Sequence, residues 1–226
     1  TLLLINPAPQ VGVTTTYSFL SVVDNNNPGC NPTSLGTSVD ITIDSLPSIV
    51  ITGDTTICDG NLAPLTFNLT GTGPWSFRYF DGTLVSSTQA TNVSPYTLNV
   101  LPNATTTYTV FDLVDQGTVN GCSVDSTHPN VMGSVTINVE PAIFADFSTN
   151  SDDLCGNTTV DFADLTTPAQ VYSYDWDFGD GNSDVAQNPS HTYSNTTLNV
   201  ISYEVTMTVT SQLGCVDSTS PFVDVR

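Results

Sequence analysis

The chain says nearly the same thing more than once, and that repetition limits what it can fold into. Residues 105–122 read TTTYTVFDLVDQGTVNGC and residues 14–30 read TTTYSFLSVVDNNNPGC. Both give three threonines and a tyrosine, a hydrophobic run, a turn of Asp, Asn and Gly, and then cysteine. Tyr17 and Tyr108 stand about ninety positions apart, and self-similarity at a fixed period marks an array of like domains. A looser third copy, YEVTMTVTSQLGC, runs from Tyr203 to Cys215. A chain of 226 residues holds about two domains of ordinary size.

The residues between the repeat marks favour strands. Thr and Val suit a pleated, half-buried surface, while Asn, Asp and Gly suit tight turns. Few stretches carry the Ala, Leu, Glu, Lys and Arg of solvated helices, so the predicted class is all-β. No apolar run approaches the roughly 20 residues needed to cross a bilayer, and the opening TLLLI is too short for a signal peptide. Acidic residues number 22 against two arginines, with no lysine, for a net charge of −20. That charge excludes electrostatic attraction to nucleic acid or anionic lipid and keeps copies apart in solution. It also leaves divalent cations as ligands to consider. Without lysine, no Lys–Asn isopeptide staple can form.

Taken in order, residues 1–47 read as the C-terminal half of a domain. Strands are expected at Tyr17–Val23 and Ser38–Asp44, closed by Leu46-Pro47. Strands without partners leave an edge and an apolar face open. Their completion comes either from an upstream part of a longer polypeptide or from another chain. Residues 48–141 read as a full immunoglobulin-like sandwich. Its predicted strands are Ser48–Thr52, Leu65–Thr70, Trp75–Phe80, Tyr96–Leu101, Thr106–Asp115 and Gly133–Val139, spaced by turn signals such as Asp81-Gly82. Trp75, Phe77 and Tyr79 alternate toward the core. Residues 142–226 form the last unit. There Tyr174, Trp176 and Phe178 point inward, as do Tyr203, Val205, Met207 and Val209. Trp75, Trp176, Phe178 and Tyr203 are the expected core anchors.

Five cysteines follow the repeat. Cys58 (TTICDG) and Cys155 (DDLCGN) stand near the start of a unit, and Cys30, Cys122 and Cys215 stand after the tyrosine-bearing strand. The economical pairing is Cys58–Cys122 and Cys155–Cys215, leaving Cys30 alone, although five cysteines permit other connectivities. Disulfides imply an oxidising setting, extracellular or periplasmic.

The last unit carries a specific resemblance. YSYDWDFGDG (172–181), NPSHTY (188–193) and YEVTMTVT (203–210) occur in order and resemble the PKD domain family, so the expected architecture is tandem immunoglobulin-like β-sandwiches, the last PKD-like. The resemblance implies an extracellular spacer or interaction module. Units opening with ICDG or LCG and closing with NGC or LGC, joined to a PKD-like unit, further resemble the stalks of giant Bacteroidota surface proteins. Those include gliding-motility adhesins and type IX secretion cargo. That resemblance brings an O-glycosylation signal of Asp followed by Ser or Thr, matched at Ser45, Thr55, Ser126 and Ser218. N-glycosylation sequons also occur at Asn68, Asn92, Asn103, Asn157 and Asn195.

Chemistry for catalysis is sparse. His128 and His191 are the two histidines, with no nucleophile elbow, zinc spacing or phosphate loop near them. Asp175 and Asp177 fall on the outer face of a strand, so they read as solvated carboxylates. Asp180, Asn182 and Asp184 in GDGNSD place oxygen donors at alternate positions of one loop, as calcium needs. Asp152 and Asp153 could complete such a set, but the distal Glu of an EF-hand is missing. The expected function is a non-enzymatic, rigid, adhesive spacer at the cell surface, without a cofactor unless calcium binds. Its expected partners are neighbouring repeats or copies of itself, with surface polysaccharide as a further candidate and neither nucleic acid nor membrane. The alternatives are a polysaccharide-contacting accessory region of a secreted hydrolase, or a fibre subunit completed by strand exchange.

Overall fold

The structure is a computed structural model and describes residues 8, 10–18, 36, 38–116, 121–150, 156–170, 172–197 and 199–226. Every regular element among them is a β-strand. None is a helix able to cross a membrane. β1 (Thr14–Tyr17) and β2 (Val39–Thr42) pair antiparallel, Thr14 opposite Thr42. β2 lies within the strand expected at Ser38–Asp44, whereas β1 shares only Tyr17 with the strand expected at Tyr17–Val23 and begins three residues earlier; residues 19–23 and Cys30 lie outside the described residues.

The next strands are β3 (Ser48–Thr52), β4 (Thr55–Cys58), β5 (Ala63–Thr70), β6 (Trp75–Phe80) and β7 (Gln89–Thr91). They continue with β8 (Tyr96–Val100), β9 (Thr106–Val114), β10 (Ser123–Asp125), β11 (Val131–Met132) and β12 (Ser134–Glu140). These form two sheets, β11-β3-β5-β8 and β4-β12-β9-β6-β7, with β10 beside β9. The remainder is β13 (Phe147–Thr149), β14 (Asn157–Asp164), β15 (Tyr172–Asp177), β16 (Ser183–Asp184) and β17 (Ser190–Ser194). After them come β18 (Ile201–Glu204), β19 (Thr206–Ser211), β20 (Val216–Thr219) and β21 (Phe222–Val225). Their sheets run β13-β14-β17, β16-β15-β19-β20 and β18-β21. The chain is therefore all-β and built of tandem β-sandwiches.

By compactness the chain divides into two units. One comprises Thr1–Gly53, Leu65–Leu98 and Thr107–Val135; the other comprises Asp54–Pro64, Asn99–Thr106 and Thr136–Arg226. β4, with Cys58, falls in the second.

In the first unit the period of two fixes the core. Leu65, Phe67 and Leu69 of β5 are buried, and Phe67 packs against Phe77 of β6 with ring centroids 4.6 Å apart. The register of β6 on β9 shifts between Arg78 and Tyr79, so Arg78 faces Asp112 and Tyr79 faces Val110. The extra residue, Phe111, is turned outward, and the Arg78 guanidinium lies over its ring while pairing with Asp112. This bulge explains why the buried set on β9 steps from Val110 to Leu113 and breaks strict alternation.

Trp75 departs from the expected core. It is the first residue of β6, directly after the GTGP turn, and only half-buried. Its indole N–H donates to the Thr70 carbonyl at 3.2 Å and its ring lies over Gly73. Phe77 fills the core position instead.

In the second unit Trp176 is fully buried, with ring centroids 5.0 Å from Phe147 and 5.3 Å from Phe162. Phe178, Tyr193, Met207, Val209 and Val225 complete the surround. The single strand expected over 203–210 is two, β18 and β19, which join different sheets on either side of the buried Val205. Tyr203, on the β18 side of that switch, is consequently half-buried, its ring 4.5 Å from that of Tyr193. Removing a large, fully buried aromatic leaves a cavity, so Trp176→Ala is expected to cost about 3–5 kcal/mol in chemical denaturation. Trp75→Ala is expected to cost less than half of that. Equal losses at the two positions would contradict this assignment of the core.

Candidate functional site

The WDFGDG turn is the first constellation. β15 delivers Trp176 and Asp177 to a turn in which Gly179 has φ +75°, and a Cβ there would stand 2.5 Å from the Glu204 carbonyl oxygen. The turn therefore needs glycine at this position. Asp177 Oδ1 accepts from the Gly179 N–H at 2.9 Å. Asp180 Oδ1 accepts from the backbone and side-chain N–H groups of Asn182, each at 3.1 Å. Its Oδ2 accepts from His191 Nε2 at 2.8 Å. The imidazole lies flat on Phe178, centroids 4.2 Å apart, and Tyr193 donates its hydroxyl to the Phe178 carbonyl at 3.0 Å. The histidine of NPSHTY thus joins β17 to the turn.

Burial works to raise the Asp180 pKa, but the hydrogen bonds from His191 and Asn182 outweigh it and hold the carboxyl below the ordinary carboxylate range. Asp164 shows the same balance: burial opposes, and hydrogen bonds from Thr166, Gln187 and Tyr174 prevail. The partner phenol of Tyr174 is pushed up to about 12 by burial and then by that carboxylate.

The expected calcium ligands are engaged within this loop. Asn182 donates to Asp180, and Asp184 Oδ1 accepts from the Val185 and Ala186 N–H groups at 2.6 and 2.8 Å. A cation at Asp180 would compete with His191. Asp152 and Asp153 lie outside the described residues.

The second constellation is the disulfide, and it corrects the expected pairing. Cys58 is bonded to Cys215, 157 positions away, while Cys122 is a free thiol. Cys155 lies outside the described residues. Topology gives the reason. β4 runs parallel to β12 with Cys58 opposite Glu140, and the Val139 N–H beside Glu140 donates to Thr105, just ahead of β9. Cys122 belongs to the other compact unit, where Asp115, directly after β9, holds it.

Cys215 sits in the turn after β19, where the Ser211 N–H donates to the Cys215 carbonyl at 2.8 Å and the Cys215 N–H donates to Ser211 Oγ at 3.2 Å. Glu140 Oε2 lies 2.9 Å from Cys215 Sγ and accepts from Ser211 Oγ at 2.9 Å. Its Oε1 accepts from Gln170 at 3.1 Å. Two cysteines and a carboxylate this close also suggest a metal set. Metal binding needs thiolates, however, and both sulfurs are used in the bond. Sequence reasoning missed Glu140. The signal was the acidic residue that closes SVTINVE (134–140) just as Asp44 closes SVDITID (38–44).

The remaining expected positions are scattered. Ser45, Ser126 and Ser218 are exposed, in the loop after β2, the turn after β10 and strand β20, while Thr55 is half-buried in β4. Asn195 is buried, its amide donating to the Asn199 and Val225 carbonyls, so its sequon is closed to modification.

Two outcomes follow from this geometry. A depressed Asp180 pKa gives stability that is fully present above the unfolded carboxylate value near 3.9 and is lost as pH falls through the lower folded value. Asp180→Asn should therefore lower stability near neutral pH and flatten the acid limb below about pH 4; an unchanged limb would contradict the His191 pairing. Opening a loop between cysteines 157 positions apart by Cys58→Ser should cost about 5 kcal/mol on the chain-entropy argument, whereas Cys122→Ser should change stability by under about 0.5 kcal/mol. The reverse order in thermal or urea unfolding would restore the Cys58–Cys122 pairing.

No curated protein matches the chain. Among solved structures it is similar to the PKD1 domain of Vibrio anguillarum Epp, at 29% identity over 38% of this chain and 94% of that one, TM-score 0.31. It is also similar to the PKD1 domain of the Vibrio cholerae metalloprotease PrtV, at 30% identity over 37% and 96%, TM-score 0.30. The fibronectin(III)-like modules of Clostridium thermocellum CbhA align at 12% identity over 78% of this chain and 92% of theirs, TM-score 0.36. The sequence model of the PKD domain family matches residues 138–224, and a PKD domain is found there.

Proposed function

We propose that the chain is a non-catalytic structural and adhesive segment of a large extracellular bacterial surface protein, in which the sandwiches act as a stiff spacer. In this reading residues 1–47, 48–141 and 142–226 are successive units of a stalk of the Bacteroidota type. Their partners are neighbouring repeats or copies of the same chain. The observation that carries the reading is the disulfide between cysteines 157 positions apart. Tension applied at the ends of the chain passes through the Cys58–Cys215 bond and bypasses everything between. Such a bond forms and persists in an oxidising compartment, which supports placement outside the cell. The charge of −20 serves the same role by keeping neighbouring stalks apart.

The reading includes glycans at the exposed Ser45, Ser126 and Ser218, with the half-buried Thr55 less accessible. Peptide mass spectrometry on native material that finds all four bare would remove that part. Single-molecule pulling tests the mechanical part. Oxidised chain should hold back the 157 chain steps from Cys58 to Cys215, roughly 550 Å at about 3.5 Å each, and release them only when reductant is added. Full extension without reductant would overturn the spacer reading. Specific retention of the chain on insoluble polysaccharide would favour an accessory region of a secreted hydrolase instead.

A further inference from the structure

Cys122 occupies a site built like that of Cys215. Asp115 directly follows β9 and Ser211 ends β19. The Asp115 N–H donates to the Cys122 carbonyl at 3.0 Å and the Cys122 N–H donates back to Asp115 Oδ1 at 2.8 Å. This is the clasp that Ser211 makes on Cys215, with carboxylate oxygen in place of hydroxyl. A glycine at positive φ precedes each cysteine, Gly121 at +65° and Gly214 at +85°. A short strand follows each and pairs antiparallel with the strand before the turn: β10 on β9, and β20 on β19.

The electrostatics repeat as well. Glu140 closes the SVTINVE strand beside Cys215. Asp44 closes the aligned SVDITID segment, and its charge acts on the Cys122 thiol, whose pKa is raised first by burial, then by Asp115 and Asp44. One feature distinguishes the two sites. At Cys215 the bond is made by Cys58, the early cysteine of the preceding sequence repeat. At Cys122 the sulfur is unbonded and partly exposed.

We propose that Cys122 is the acceptor half of a second inter-repeat disulfide, formed with the cysteine of a TTICDG-type strand from a preceding repeat or from another copy of the chain. The bridging rule then joins the early cysteine of one repeat to the late cysteine of the next, and the array becomes a ladder of covalent staples. Bond formation removes two protons and two electrons from two thiols, which pass to a small-molecule or protein disulfide that is reduced to its dithiol.

The full chain, oxidised at Cys58–Cys215, is the material for the test. A peptide copying residues 52–62 is activated as its mixed disulfide with thionitrobenzoate, and a scrambled peptide is activated likewise. At about pH 8.5 the Cys122 thiolate attacks the peptide sulfur; a new S–S bond forms, and thionitrobenzoate leaves with the electron pair. Peptic mapping without reductant locates the adduct. The copied peptide should label Cys122 at least tenfold faster than the scrambled one, and Cys122→Ser should abolish that adduct. Equal rates would overturn the proposal. Mapping of the native protein separates the two sources. A bridge from Cys122 to a cysteine earlier in a longer polypeptide, or a disulfide-linked dimer through Cys122, each supports the rule. A bridge from Cys122 to Cys30 or Cys155 of the same chain, or a thiol left free in mature protein, overturns it.

Discussion

The bond between Cys58 and Cys215 is the constraint from which the rest of the arrangement follows. It fixes the end of β4 to the turn after β19 and so holds Asp54–Pro64 within the second compact unit. Parallel pairing of β4 with β12 carries Cys58 to Glu140, and the Ser211 clasp presents Cys215 at the same point. Backbone register and turn geometry thus meet at one pair of sulfurs. The Glu140 carboxylate beside them adds a negative charge at a place an attacking thiolate would have to approach.

Around that staple the hydrophobic core is ordinary in kind and well packed. Trp176, Phe147, Phe162 and Phe178 form a connected aromatic set, and the one polar atom of the indole is matched by the Ala186 carbonyl at 2.9 Å. The polar residues of the WDFGDG turn then do structural work. Asp177 and Asp180 satisfy turn N–H groups that would otherwise be unpaired, and His191 ties a neighbouring strand to the same carboxylate. A turn arranged this way holds its side chains among themselves.

Much of this was legible in the residues. Alternation announced Trp176, Phe178 and the β5 core, because a period of two admits one buried face. The all-β class followed from Thr, Val and turn residues. Sequence failed where position in a strand mattered more than period. Trp75 obeys the alternation but opens its strand, so the sandwich closes over Phe77 and leaves the indole at the rim. The 203–210 segment alternates throughout, yet it changes sheets at Val205, and no periodicity marks such a switch. The cysteine pairing failed for a different reason. Repeat logic supplied the right classes of early and late cysteine, but it assumed that each repeat closes on itself. Strand direction decides that, and the direction appears only once β4 is seen to run alongside β12.

The central claim is the identity of one bond. Peptic digestion at low pH, where thiol exchange is suppressed, followed by mass spectrometry without reductant, reads it directly. The account predicts a crosslinked species joining the TTICDG segment to the QLGCVD segment, with mass two hydrogens below the sum of its thiol forms. A crosslink between the TTICDG and NGCSVD segments, or between DDLCGN and QLGCVD, would contradict it.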